Sequence, residues 1–141
     1  MQTALVLGEY AARHVSGVLS VTDTIYFCGR RAALLERLLA ANTHGTIAVS
    51  RTSPDILRHQ VPSHLAEASC VNGTQETVLD GSNANIDVLC EKLFQMGYRS
   101  HKLDIPFAFH SSQVDVILDE LEELASSVEF REPALPMVST L

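Results

Sequence analysis

The stretch SCVNGTQETVLDG, residues 69–81, decides the fold of this 141-residue chain. Two runs that favour β-structure, 66–72 and 76–80, flank the tetrapeptide NGTQ at 72–75. Asparagine followed by glycine between two such runs is typical of a tight turn, because both residues tolerate a left-handed backbone. The stretch therefore predicts a β-hairpin.

Working outward, each side of the hairpin adds one helix and one further strand. On the N-terminal side, 46–51 is rich in β-forming residues, and SPD at 53–55 opens a short helix because proline is favoured at the first helical position. On the C-terminal side, apolar residues recur at helical spacing over 85–96, Gly97 ends that helix, and 98–103 is extended. The order β-α-β-β-α-β predicts a ferredoxin-like arrangement.

Two helices precede this arrangement. Apolar residues at helical spacing predict the first over 8–19. Ser20, followed three residues later by Asp23, forms a capping signature for the second helix, which we expect to continue past Leu39 and to end near Gly45.

A third helix is predicted after the arrangement, with Ser111 and Ser112 as candidate N-caps. Its predicted inward residues are Val114, Ile117, Leu118, Leu121 and Leu124. The final segment, EFREPALPMVSTL at 129–141, contains strand-like pieces broken by prolines, and we interpret the chain as cut at both ends.

Composition excludes several classes of function. With 46% apolar and 19% charged residues, the chain is that of an ordinary globular domain. Its net charge of −7 argues against nucleic acid or an anionic membrane as a partner. No apolar run approaches the length of a membrane span, and the start lacks the features of a signal peptide. We therefore expect a cytoplasmic protein.

The cysteines and histidines indicate neither disulfides nor a metal site. Cys28, Cys70 and Cys90 are odd in number and form no C-x-x-C pair. His59 and His64 are five residues apart, which does not place them on one helical face, and no partner follows at ligand spacing. We expect no metal and no cofactor.

Four blocks carry a resemblance to a known family. In chain order they are LGEYAARHVSGVLS (7–20), GRRAALL (29–35), SCVNGTQETVLDG (69–81) and IPFAFHSSQVDVILDELE (105–122). Together they resemble the malonyl-CoA:acyl-carrier-protein acyltransferase domain of fungal iterative polyketide synthases, and the non-reducing group is the most similar in wording. The family domain is longer, so the resemblance implies a truncated, middle portion.

The resemblance implies an α/β (α+β) fold in two parts. A ferredoxin-like small subdomain would occupy 46–103. Pieces of a large, α/β-hydrolase-like subdomain would occupy 1–45 and 104–141, and that subdomain would be incomplete. The order of helices and strands predicted from the residues alone agrees with the small subdomain.

The resemblance also implies site residues. Family members read GHSLGEYAA where this chain reads ALVLGEYAA at 4–12, so Val6 occupies the position of the nucleophilic serine. His110 matches the catalytic histidine, and Arg31 matches the arginine that pairs with the malonyl carboxylate. The backbone N–H of Leu7 matches one oxyanion donor. Valine has no nucleophilic atom, so no acyl-enzyme is expected at Val6.

The same residues have simpler interpretations without the resemblance. Residues 5–7 would be a short buried strand that enters a helix, and His110 a loop residue before a helix cap. Arg30 and Arg31 would be surface charges, which is the interpretation we prefer for Arg30.

Several further positions bear on the match to the family. Arg13 and Asp80 depart from it, where an apolar residue and a small hydroxyl residue are usual. Asn72 and Gly81 match it as turn and packing residues.

Three hypotheses of function remain open. The first is a truncated acyltransferase, related to enzymes that move malonyl from malonyl-CoA to acyl carrier protein, without independent catalysis. The second is a non-catalytic module that binds an acyl carrier protein or another synthase partner. The third is an enzyme with a different nucleophile, Ser111 or Ser112. The sequence does not specify the oligomeric state or the acyl group.

Overall fold

The computed structural model describes residues 7–138, which fall into two compact units. The first unit is drawn from Met1–Leu39 and Val116–Leu141, and the second is Ala40–Asp115. The second unit is therefore wider at both ends than the 46–103 predicted for the small subdomain. In chain order the elements are α1 (Leu7–Val15), α2 (Val21–Leu38), β1 (His44–Ser50), α3 (Pro54–Gln60), β2 (Glu67–Gly73), β3 (Glu76–Ser82), α4 (Asn83–Gln95), β4 (Arg99–Leu103), a 3-10 turn (Ser112–Ile117) and α5 (Leu118–Ser126).

The second unit is a four-stranded antiparallel sheet with two helices. The strands lie in the order β2-β3-β1-β4, and every neighbouring pair is antiparallel. With the chain order β1-α3-β2-β3-α4-β4, this is the ferredoxin-like topology. The predicted fold class and the hairpin at the centre of the quoted stretch are confirmed.

One face of the sheet packs against the helices. Ile47 and Leu79 are register partners on β1 and β3, and both point into this core. The core cluster consists of Ile47, Val49, Leu57, Val61, Ala66, Leu79, Ile86, Leu89 and Leu93. Because side chains alternate along a strand, Thr46 and Asp80 lie on the opposite face.

Local signals fix the ends of the helices in this unit. The side chain of Ser53 accepts a hydrogen bond from the N–H of Ile56, with Pro54 at the first position of α3. Ser82 caps α4 in the same way. Gly97, at a φ of 82°, follows α4 in the left-handed conformation that glycine favours, as its sequence position predicts.

Gly81 is required by close packing. A Cβ atom built at this position would lie 2.5 Å from the carbonyl oxygen of Leu65. That separation is too short for any side chain, so the packing role predicted for Gly81 has a physical basis.

The first helix ends earlier than its periodicity predicts. It spans Leu7–Val15 and stops because Gly17, at a φ of 85°, closes it. The N–H of Val18 bonds to the carbonyl of Arg13, and the N–H of Gly17 bonds to that of His14, which is a Schellman motif. Val18 and Leu19 follow the helix and are buried although they are not helical. Their apolar spacing therefore made the predicted helix too long.

The second helix begins as predicted and ends early. The side chain of Ser20 accepts from the N–H of Asp23, which confirms the cap. The helix ends at Leu38 and not near Gly45, because β1 already begins at His44.

The C-terminal segment corrects two expectations. Ser111 and Ser112 do not cap an α-helix: a 3-10 turn begins at Ser112, and α5 begins only at Leu118, without a side-chain cap. Ile117 and Leu121 are buried as predicted, while Val114, Leu118 and Leu124 are half-buried.

No strand forms from 127 to 138, although strand-like pieces were predicted there. Two backbone bonds hold this segment instead, from the N–H of Arg131 to the carbonyl of Val18 and from the N–H of Ala134 to that of Ser16. Pro133 and Pro136 lack the N–H groups that a longer ladder would need.

Candidate active site

The position matched to the nucleophile lies outside the described residues. Val6 immediately precedes Leu7, where α1 begins. The backbone N–H groups in the first turn of an α-helix have no acceptor within the helix. Leu7 is the first residue of α1 and is 60% exposed, and the oxyanion role of its N–H stays a prediction.

Helix α1 packs on α2 through aromatic rings. The rings of Tyr10 and Phe27 stack with centroids 5.8 Å apart, and Phe130 meets Phe27 edge-on at 6.1 Å. Burial raises the pKa of the Tyr10 hydroxyl, and the nearby guanidinium of Arg31 opposes that shift. The interior of this unit therefore brings Arg31 close to a buried phenol.

Arg13, which departs from the family pattern, forms an ion pair within α1. Its Nη2 lies 2.6 Å from Oε1 of Glu9, one helical turn earlier. The Glu9 side chain is only 8% exposed, so the carboxylate of this ion pair is shielded from water. The departure is thus accommodated by a local partner.

Arg31 is half-buried on α2, and its neighbour Arg30 is exposed. Among residues 7–138, the buried Nε of Arg31 has no hydrogen-bond partner. A buried guanidinium N–H without an acceptor is costly, and a planar guanidinium satisfies a carboxylate with two parallel bonds. Arg30 is thus exposed, as expected for the surface charge that we prefer for it, whereas the role of Arg31 stays a prediction.

His110 lies in the loop between β4 and the 3-10 turn and is half-buried. The loop is braced by short bonds: the N–H of Ala108 donates to Oε1 of Gln113 at 2.8 Å, and the Ser111 hydroxyl donates to the Ala108 carbonyl at 2.8 Å. The Nδ1 atom of His110 is buried and has no partner in the part of the chain that the structure describes. Phe107 and Phe109 precede His110 in the same loop, and their rings pack edge-on against each other.

Ser111 and Ser112 serve as structural residues in this loop. Ser111 is 4% exposed, and its hydroxyl is occupied by the Ala108 carbonyl. The backbone N–H and the hydroxyl of Ser112 both donate to Oε1 of Glu67 at 2.8 Å. The Ser111 hydroxyl, which is bonded to a backbone carbonyl, therefore lacks the neighbouring base that a nucleophile requires.

Asp80 is a buried acidic residue that the sequence analysis treated only as a departure from the family. It is 2% exposed on β3, and burial raises the pKa of its carboxyl. Among the described residues, its Oδ1 has no hydrogen-bond partner. The sequence contains one signal for Asp80, which is a charged residue at a strand position between apolar neighbours. Such a residue must be either solvated or buried at a cost in free energy.

The predicted residues are divided between the two units. Leu7 and Arg31 belong to the first and His110 belongs to the second, which also contains Asp80. In residues 7–138 no group of three or more histidine, cysteine or acidic side chains is arranged to hold a metal ion, and the three cysteines are free. No helix within the same range is long and apolar enough to cross a membrane.

A comparison with known protein families shows which family the chain belongs to. The family model of the acyl transferase domain matches residues 6–141. The chain belongs to the acyl transferase domain family. The resemblance drawn from the four sequence blocks is therefore confirmed.

Fungal non-reducing polyketide synthases are among the similar proteins. Bikaverin polyketide synthase bik1 of Gibberella fujikuroi is 58% identical over 135 residues, and non-reducing polyketide synthase 1 of Elsinoe fawcettii is 48% identical. Both alignments cover 96% of the chain, which spans only 7% and 6% of the lengths of these synthases. The chain is therefore similar to a short segment of each of these much longer synthases.

Solved structures agree on the fold. The acyltransferase domain from module 8 of the salinomycin polyketide synthase superposes with a TM-score of 0.83 at 29% identity, over 94% of this chain and 31% of that one. FabD from Acinetobacter baumannii gives 0.82 over 92% of this chain and 43% of that one. At 20% identity, that second likeness concerns the fold alone.

Proposed function

We propose that this acyl transferase domain is built around malonyl transfer from malonyl-CoA to an acyl carrier protein, and that it forms no acyl-enzyme by itself. The observation that carries this proposal is Val6, which stands directly before the helix end at Leu7. His110 is the proposed general base, and Arg31 is the proposed partner of the malonyl carboxylate. No cofactor enters this chemistry.

The proposed chemistry is an acyl exchange. A hydroxyl at the nucleophile position would attack the thioester carbon while a histidine takes its proton, and the histidine would then return that proton to the departing CoA thiolate. The N–H of Leu7 would stabilise the oxygen that becomes negative. With valine at position 6 the attacking atom is missing, so the sequence of steps does not begin.

The environment of Arg31 supports recognition of a carboxylate. Its buried Nε–H lacks an acceptor in residues 7–138, and a malonyl carboxylate would supply one in the bidentate geometry that guanidinium favours. Acetyl-CoA has no such carboxylate. We therefore expect the chain to distinguish malonyl-CoA from acetyl-CoA.

Covalent labelling tests the proposal directly. The chain is incubated with malonyl-CoA and its intact mass is measured, beside a variant that carries Ala4→Gly, Leu5→His and Val6→Ser. We expect no adduct on the unmodified chain and a malonyl adduct on the variant. Adding His110→Ala to the variant should remove the adduct. A malonyl adduct on the unmodified chain would contradict the proposal.

Binding to Arg31 is tested separately, by calorimetry with malonyl-CoA and acetyl-CoA. Arg31→Ala should weaken malonyl-CoA binding roughly tenfold or more, because a charge-assisted bidentate pair contributes on the order of 1.5–3 kcal/mol. Arg30→Ala is the matched control, since Arg30 is exposed on the same helix. Equal losses from the two substitutions would remove Arg31 from the proposal.

A second candidate function is a non-catalytic module that binds an acyl carrier protein or another synthase partner. Exposed apolar side chains on α2 favour it: Val21 is 55% exposed, Ile25 67% and Tyr26 45%. Contiguous apolar surface of this kind commonly marks an interaction site. Ile25→Ser should reduce retention by an immobilised carrier protein, whereas Val88→Ser, at an exposed position on α4, should not. Equal retention of all three proteins would exclude this surface.

A further inference from the structure

Strand β4 forms one edge of the sheet in the second unit. The strand order is β2-β3-β1-β4, and in residues 7–138 β4 pairs with β1 alone. An edge strand directs part of its backbone N–H and C=O groups away from its one neighbour, where a further strand can pair with them. The edge spans Arg99–Leu103, so it can pair with a segment of about five residues.

The side chains of β4 alternate between the two sides of the sheet. Lys102 lies on the side of the helices, where its Nζ is 2.9 Å from Oδ1 of Asp87 on α4. Tyr98, directly before the strand, packs against the core on the same side. Because the side-chain period of a strand is two, Arg99 and His101 lie on the opposite side, which is the sheet face without helices.

An open cleft of about 710 Å³ is lined from both sides of β4. Arg99 and His101 line it on the face without helices, and Phe94 and Tyr98 line it on the helix side. One cleft can touch both sides of a strand only where it passes around the edge or the end of that strand. A segment bound beside β4 would therefore contact both sets of side chains.

The two sides of this edge differ in chemistry. Among residues 7–138, the exposed side chains of Arg99 and His101 form no hydrogen bond and no ion pair. Arg99 is a permanent cation and the imidazole of His101 can donate a hydrogen bond, so acidic groups are their natural partners. On the helix side, the ring of Phe94 is 81% exposed and offers an apolar contact. Glu76 also lines the cleft, but it lies on β3, with β1 between it and β4.

We propose that the edge of β4 binds an extended segment of a partner protein in which acidic and apolar side chains alternate, so that the segment adds a fifth strand to the sheet. In this mode of recognition the main chain supplies the hydrogen bonds and alternate side chains supply the selectivity. Every second side chain of the segment lies beside Arg99 and His101, and the others lie beside Phe94 and Tyr98.

A second copy of this chain fits the edge less well than an acidic partner. Pairing two β4 edges would place the basic residues of both copies along one seam, and like charges opposite each other destabilise a strand pair. A charged edge of this kind discourages association with its own kind. Charge complementarity therefore favours an acidic segment from a different protein.

The proposed binding edge is separate from the loop that carries His110. Ser112 of that loop bonds to Glu67, whose row of register partners crosses β1 at Thr46. Arg99 pairs with β1 four residues further along, which is about 13 Å away along the strand. The inference therefore does not depend on the function proposed above.

Binding of fluorescent peptides to the whole chain tests the proposal. The first probe is EVEFEVE, in which glutamate alternates with apolar residues. The second, EEVVFEE, has the same composition without the alternation, and the third, KVKFKVK, has lysine in place of glutamate. Fluorescence anisotropy measures the Kd of each peptide. We expect EVEFEVE to bind at least about tenfold more tightly than either of the others.

Two substitutions, each with a matched control, locate the binding surface. Arg99→Glu should weaken EVEFEVE by about five- to tenfold and should strengthen KVKFKVK, because an attraction becomes a repulsion. Its control is Arg58→Glu, the same change of charge at an exposed position on α3. Phe94→Ser should weaken EVEFEVE about fivefold, because it removes the exposed apolar contact. Its control is Val88→Ser, at an exposed position on the same helix.

Hydrogen exchange completes the test, because strand addition must slow the exchange of β4 amides. A preference for EVEFEVE together with slower exchange in β4 supports the proposal. Equal binding of EVEFEVE and EEVVFEE, no binding at about 1 mM peptide, or binding with unchanged exchange in β4 overturns it. A chain that dimerises in sedimentation, with β4 protected before any peptide is added, would make a second copy the occupant and would also overturn it. If a variant does not fold, the three peptides with the unmodified chain still decide.

Discussion

The two compact units differ in how completely they bury their apolar side chains. The second unit encloses a core drawn from both helices and the sheet, with Ile47, Val49, Ile86 and Leu93 fully buried. Among the described residues, the first unit leaves ten large apolar side chains exposed, and the second leaves five. Val15, at 71% exposed, is an example on α1.

This difference teaches which part of the chain carries its own stability. A closed core gains free energy from burial without any further contact, whereas an exposed apolar face gains it only when something covers that face. The solved salinomycin domain, of which this chain covers 31%, contains much more chain around the same fold. We infer that the second unit is the independently stabilised part and that the first depends more on added packing.

The largest effect is expected from a cavity in the second unit. Leu89 is 1% exposed on α4, and Leu89→Ala should lower the free energy of unfolding by about 2–5 kcal/mol. Val88→Ala, one residue earlier and 45% exposed, should cost well under half as much. Denaturant unfolding followed by circular dichroism measures both.

The same type of change in the first unit sharpens the comparison. Ile25 on α2 is 67% exposed, so Ile25→Ala should change the free energy of unfolding by no more than about 0.5 kcal/mol. A loss as large as that of Leu89→Ala would show that this face is covered in solution, and the contrast between the units would fail.

An effect smaller than that of Leu89→Ala is expected at the close approach beside β3. In Gly81→Ala the new Cβ would lie 2.5 Å from the Leu65 carbonyl oxygen, so the backbone must shift. Overpacking of this kind costs about 1–3 kcal/mol. Gly73→Ala is the matched control, because no atom lies within 4 Å of a Cβ built there. The midpoint of thermal unfolding should be lower for Gly81→Ala than for Gly73→Ala. Equal midpoints would contradict the packing role of Gly81.

Local chemistry explains which parts of the fold could be predicted from the sequence. The caps at Ser20 and Ser53 and the helix stop at Gly97 depend on neighbours within a few residues, so the sequence contains the whole signal. Gly17 carries the same signal as Gly97, and Val18 and Leu19 obscured it because they are buried without being helical.

The sequence names candidate site residues, but it does not show what lies around them. His110 and Arg31 followed from a resemblance of motifs, and the structure adds what lies around each of them. Asp80 and Glu67 are 13 residues apart in the chain and become neighbours only through the strand register. No local pattern reports such a contact, because it is set by the pairing of whole strands.

A further prediction compares the same substitution, a serine helix cap changed to alanine, in the two units. Ser20 caps α2 and Ser82 caps α4, each accepting from the N–H three residues on. Removing either hydroxyl should cost about 1 kcal/mol. Hydrogen exchange read by mass spectrometry shows where that free energy is lost. In Ser82→Ala we expect lower protection throughout the sheet and α4, because the closed core opens as one unit. In Ser20→Ala we expect the loss to be concentrated in α2. If Ser20→Ala lowers protection across the sheet by the same amount, the two units unfold together and the distinction between them is wrong.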